Sequence, residues 1–226
     1  MTATTIRCTR RRSNHENHTI GFDGNNKVTV TVTANCSVVR RWLKSMLYFH
    51  NHYFLRERLV VGLGVQWSAP SPDRPNPPAD TLQLCIGRRC LIIQLSRAER
   101  VPQILRQFLK DPTITFVGFY NHRDQKKLKA SRHQLEMCWK PEDLKIHAGT
   151  LHPDLVNAPV KEIVMSFLRC NVNPRREVSM SDWNREELTK DQLVYACVDA
   201  YCAFRIGKNL KVWECNYNWI SKFLEF

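Results

Sequence analysis

The stretch LVVGLGVQW, residues 59–67, puts Val61, Leu63, Val65 and Trp67 on one side and Val60, Gly62, Gly64 and Gln66 on the other. Period-two alternation in so apolar a run predicts a half-buried β-strand. The two glycines weaken that strand and mean that something approaches its backbone closely. Gln66 stands beside the gap they leave.

Other strand and helix signals lie on both sides. Upstream, NKVTVTVTAN (26–35) alternates Val28, Val30 and Val32 against threonines and predicts a strand with one wet face. Asn35 is a helix cap, and Val38, Val39, Trp42, Leu43, Met46 and Leu47 follow at helical spacing. Downstream, five prolines in APSPDRPNPPAD (69–80) predict a stiff exposed loop. TLQLCI and CLIIQL flank Gly87-Arg88-Arg89 and predict a hairpin. A helix over 99–110, a buried strand over 115–119, and helices over 121–133 and 159–170 come next. Thr189 and Gln192 form a capping-box pattern opening a long helix that runs to about residue 213. Strands and helices in this order predict an α/β domain, a mixed sheet with helices packed on it. We read it as one domain over 18–226, preceded by a basic disordered tail over 1–17.

The chain has 226 residues, 43% of them apolar, enough for one real core. Lysine and arginine number 34 against 21 acidic residues, so the formal charge is +13. A field of that sign attracts polyanions such as nucleic acid. The nine cysteines form no CxxC and no zinc-finger spacing, and the histidines form no HExxH. The N-terminus MTATTIRCTRRRS lacks the apolar core of a signal peptide. No run approaches the ~18 apolar residues of a membrane span. The expectation is an intracellular protein, nuclear or cytoplasmic, with reduced thiols and no membrane partner.

Two later stretches carry candidate chemistry. In FVGFYNHRDQKKL (116–128), Asp124 lies one turn into a helix that follows a buried strand. In LTKDQLVYACVDAYCAF (188–204), Tyr195 and Asp199 are four apart, which puts phenol and carboxylate on one helix face. Taken singly, such residues also read as a dipole-favoured helix carboxylate and a packed ring.

Together, the three stretches resemble the Werner-type branch of the DnaQ-like (DEDDy) 3′–5′ exonucleases, which have a ribonuclease H-like fold. The family's first motif is close to VVGfDxEW, and VVGLGVQW (Val60 to Trp67) occupies it. The second motif is matched by Val117, Gly118, Asp124 and Leu128. The third, an SxW element followed by LTxxQxxYAxxDAY, is matched by Ser181, Trp183, Leu188, Thr189, Gln192, Tyr195, Ala196, Asp199, Ala200 and Tyr201. The likeness runs over about residues 59–211.

The resemblance implies a site in which four carboxylates hold two divalent ions, Mg²⁺ or Mn²⁺, roughly 3.5–4 Å apart. Asp124 and Asp199 match two of these ligands, and Tyr195 matches the tyrosine that positions the attacking water. The first motif departs from the pattern. Gly64 stands where the family has the Asp that bridges both ions, and Gln66 where it has Glu, leaving a neutral amide oxygen as a weaker ligand. Asp73, Asp80 or a partner subunit could stand in. Candidate nucleic-acid contacts are Trp67, Phe119, Lys126, Arg175 and Arg176. Each also has a plainer reading, as core, pocket wall or solvated charge. Two functions follow: an exonuclease weakened at its metal site, or an inactive relative that binds 3′ ends of DNA or RNA or assembles with itself or with active relatives.

Overall fold

The computed structural model describes residues 4–22, 24, 26–138, 140–173 and 175–214. The expectation of a reduced thiol at Cys215 lies outside the described residues. Eight strands form one mixed sheet: β1 (Thr5–Arg12), β2 (His15–Phe22), β3 (Asn26–Thr33), β4 (Leu59–Gln66), β5 (Thr81–Ile86), β6 (Arg89–Gln94), β7 (Ile114–Gly118) and β8 (Glu142–Asp143). Their order across the sheet is β1-β2-β3-β6-β5-β4-β7-β8. The β3–β6, β4–β7 and β7–β8 pairs are parallel and the others antiparallel. The helices are α1 (Cys36–Phe49), α2 (Asn51–Phe54), α3 (Gln103–Lys110), α4 (Asp124–Lys129), α5 (Leu144–Leu151), α6 (Val160–Leu168), α7 (Arg176–Ser179) and α8 (Lys190–Asn209).

The sheet is covered on both faces. One core joins Val61, Leu63, Leu82 and Leu84 to Trp42 and Leu43 of α1 and Leu105 and Phe108 of α3. The other joins Val60, Cys85, Ile92 and Val117 to Ala196, Ala200 and Phe204 of α8. Strand β4 is therefore buried from Leu59 to Val65, and only Gln66 is partly exposed, so the half-buried expectation is corrected. The reason is α8. A Cβ built on Gly62 would lie 1.9 Å from the Ala200 carbonyl oxygen and 2.9 Å from the Phe204 nitrogen. The group that comes close to the first glycine is the backbone of a helix.

The expected helix starts are present. Asn35 accepts from the Ser37 and Val38 amides. Thr189 and Gln192 close a reciprocal capping box on α8, and the Gln192 amide also donates to Ser181 Oγ and the Asp182 carbonyl. Gly87 takes φ +62° in the β5–β6 turn, a conformation that glycine adopts without a Cβ penalty.

The N-terminus differs from the expected disordered tail. Residues 5–12 pair antiparallel with 15–22, extending the sheet. Strand β2 buries Ile20 and Phe22, while β1 is an edge strand whose side chains are exposed apart from a partly buried Ile6. Such a strand is held by backbone hydrogen bonds, which side-chain pattern does not report. Arg11 adds ion pairs to Glu16 and to Glu187, just ahead of α8.

Candidate active site

The site forms where β4, the β7–α4 turn and α8 meet. Gly118 ends β7 so close to β4 that an added Cβ would sit 2.9 Å from the Leu63 carbonyl oxygen. The chain then turns through Tyr120, which has left-handed φ (52°), and the Asn121 amide donates to the Glu142 carbonyl at 2.9 Å. This tight turn sets Asp124 at the first position of α4, 5% exposed. Burial, together with the charges of Asp199 and Asp143, pushes the Asp124 carboxyl up to about 8. Burial likewise pushes Asp199 up to about 7. Among the described residues, neither acid is in an ion pair. Tyr195 lies one turn before Asp199, its ring centroid 6.1 Å from that of Trp183. Burial and then the Asp199 charge raise its phenol, and a hydrogen bond with Ser179 opposes them.

Gly64 lies on the same face of β4 as Gly62 and Gln66. A Cβ placed on it would stand 3.5 Å from Asp199 Oδ2 and 2.7 Å from Gln83 Oε1. Gln83 is directly opposite Gly64 on β5 and fully buried. Its amide nitrogen donates to Thr81 Oγ1 at 2.7 Å, but its carbonyl oxygen has no hydrogen-bond partner among the described residues. Buried polar atoms are normally paired. This orphaned oxygen occupies the room that a side chain at residue 64 would need.

The donor set does not fit a pair of dications. Hard cations take several anionic oxygens. Among the described residues, no three His, Cys, Asp or Glu side chains are disposed to hold a metal ion. Asp80 does not stand in: it is fully buried, accepts from the Ser68 amide and hydroxyl at 2.8 Å each, and pairs with Arg74 at 3.2 Å. It pins the proline-rich loop. Asp73 is an exposed residue of that loop.

A groove of 410 Å³ opens from Asp199 along α8. Tyr195, Phe119 and Arg175 line it, together with Ile6 and Phe22 of the N-terminal hairpin. Arg175 is held by Asp191 at 2.6 Å. The other three expected nucleic-acid contacts are not among its lining residues. Arg176 is exposed at the start of α7, and Lys126 faces a separate shallow hollow beside Lys129 and Glu136. The Trp67 ring carries the Lys127 ammonium 5.0 Å from its centroid, and that ammonium also bonds Asn76 Oδ1 and the Pro77 carbonyl. Trp67 thereby anchors the proline-rich loop.

Sequence reasoning passed over two residues of the site. Asp143 ends the two-residue strand β8 and caps α5 by accepting from the Lys145 amide at 3.0 Å. So short a strand leaves no periodicity, though an Asp ahead of a helix is a cap signal. Gln83 had a signal too, as the lone amide in the apolar run TLQLCI. Its cross-strand partner was not legible.

The sequence profile of the 3′–5′ exonuclease family matches residues 79–212, beginning after β4. The R431 protein of Acanthamoeba polyphaga mimivirus is 25% identical over 206 residues, covering 86% of this chain and 49% of its own. The bifunctional 3′–5′ exonuclease/ATP-dependent helicase WRN of Mus musculus is 24% identical over 160 residues, covering 67% of this chain and 11% of its own. The chain thus spans half or less of the length of these relatives. Among solved structures, the EXO domain of Aedes aegypti Nibbler superposes with a TM-score of 0.62 at 14% identity, covering 87% of this chain and 92% of that domain. More than half of the chain is matched by one family, and the chain belongs to it: a 3′–5′ exonuclease domain on a ribonuclease H-like fold.

Proposed function

We propose that this domain grips the 3′ end of a nucleic-acid strand in the groove beside Asp199 and does not hydrolyse it efficiently. One observation carries the reading: the position of the missing first-motif carboxylate is backed by the orphaned oxygen of Gln83. Two of the four ligand positions are without charge, and the third-motif acid faces a glycine. The groove keeps what a strand end needs. It has aromatic faces in Phe119 and Tyr195 and cations in Arg175 and Lys190. The +13 charge of the whole chain favours a phosphate backbone. An intracellular setting, nuclear or cytoplasmic, goes with this reading.

A second reading is residual 3′–5′ exonuclease activity. The proximity of Asp124, Asp199 and Tyr195 favours it, because these groups would orient a substrate phosphate and an attacking water. Fluorescence anisotropy with a 3′-overhang duplex and with single-stranded RNA, run beside a cleavage assay in Mg²⁺ or Mn²⁺, separates the two. The first reading expects binding whose affinity falls with salt at a log–log slope of about −2 to −3, from roughly three phosphate contacts. It also expects no more product than an Asp199→Asn control. Product well above that control would establish the second reading, and no binding to either substrate would remove the first.

A further inference from the structure

A second cavity, of 300 Å³, lies at the other end of α8, between that helix, α2 and the β5–β6 turn. Nine residues separate Lys208 from Asp199, about 13 Å along the helix axis. Arg58, Arg88, Arg205 and Lys208 line it, together with Tyr53 and Trp213. No acidic side chain among the described residues does. Lys208 and Arg205 lie in the last turns of α8, where the helix dipole welcomes a cation. That dipole amounts to roughly half a charge and does not balance four cations.

Two further observations point to a ligand. The Trp213 indole N–H is buried and has no acceptor among the described residues. Such a donor normally has a partner. The Lys208 ammonium stands 5.1 Å from the centroid of the exposed Tyr53 ring, whereas Arg205 donates to the hydroxyl of the buried Tyr201 at 2.8 Å. At Tyr53 a cation and an accessible ring therefore adjoin, groups that a phosphate and its planar base can contact. Burial, Lys208 and Arg89 together hold the His50 imidazole below its usual value, as expected in a positive field.

From the cavity, its four cations with no acid facing them among the described residues, the adjoining Tyr53 ring and an indole donor with no acceptor among those residues, we infer that this is a second ligand site, for a phosphorylated nucleoside. The ligand is a free nucleotide or the phosphorylated end of a strand. It stands apart from the groove beside Asp199 and does not rest on the reading of that groove.

The test is calorimetric titration of the full chain with 5′-AMP, adenosine, inorganic phosphate and a 5′-phosphorylated oligonucleotide. Saturable AMP binding is expected, at least tenfold tighter than adenosine and than phosphate. The Arg88→Gln/Lys208→Gln double variant should lose tenfold or more. Both substituted positions reach solvent, and circular dichroism confirms that the double variant is folded. An oligonucleotide that binds tighter than AMP, and loses the same factor in the double variant, identifies the strand end as the source. AMP binding that the double variant loses, with oligonucleotide binding unchanged, identifies the free nucleotide. No saturable AMP binding, AMP binding that the double variant retains, or phosphate binding as tightly as AMP overturns the inference.

Discussion

Restoring the family's first motif, Gly64→Asp with Gln66→Glu, is the obvious attempt to create a nuclease, and the structure predicts that it fails alone. A Cβ at residue 64 meets Gln83 Oε1 at 2.7 Å, where ordinary contact begins at 3.4 Å. The Gln83 amide must retreat, and its bond to Thr81 Oγ1 is strained or lost. Breaking a buried hydrogen bond costs about 1–3 kcal/mol. The two new carboxylates also join two acids that already ionise with difficulty. Two like charges about 5 Å apart repel by roughly 3 kcal/mol at an effective dielectric near 20. In metal-free buffer the double variant should lose on the order of 4–5 kcal/mol, about 10–15 °C in melting temperature. Adding Gln83→Ala removes the steric part and leaves the repulsion, which a divalent cation relieves. The triple variant should therefore gain melting temperature with Mn²⁺ and shorten a 3′-overhang duplex. Asp199→Asn in that background should abolish the product. If the double variant melts with the wild type and cleaves as well as the triple variant, the obstruction by Gln83 is imaginary. If the triple variant is folded and binds Mn²⁺ but yields no product, loss of ligands does not explain the site.

The raised acids make stability depend on pH. A carboxyl lifted from 3.8 to about 8 keeps its proton in the folded chain after the unfolded chain has lost it. Its contribution is neutral below about pH 4 and grows unfavourable as pH rises to 8, reaching on the order of 3–5 kcal/mol. Asp124→Asn should thus leave the melting temperature at pH 4 unchanged and raise it by about 10 °C at pH 8; parallel pH profiles for the two proteins would contradict the raised carboxyl. The two β4 glycines should differ. Gly62→Ala drives a Cβ to 1.9 Å from the Ala200 carbonyl oxygen and should cost more than about 3 kcal/mol or prevent folding. Gly64→Ala meets the end of one side chain and should cost about 1 kcal/mol; equal losses in thermal melts would show that α8 does not close on β4 as described.

Signals confined to neighbouring residues were legible in the sequence. Asn35 and the Thr189–Gln192 box announce their helices because a cap bonds to amides within three residues of it. The β5–β6 hairpin is announced by two apolar runs around Gly87, and the order of the three motifs carried the family. Gly62 declared that something approaches β4 without saying what. Only the tertiary structure decided that this is the α8 backbone and that the deficit at Gly64 faces Gln83 and Asp199. It also decided that Ile6 of the expected tail walls the groove beside Phe22, and that Trp67 serves the proline-rich loop. These facts depend on pairing register and on burial between segments as far apart as Ile6 and Asp199. The raised carboxyls of Asp124 and Asp199 arise in the same way, because desolvation is produced by whatever packs around a group and no single segment encodes it.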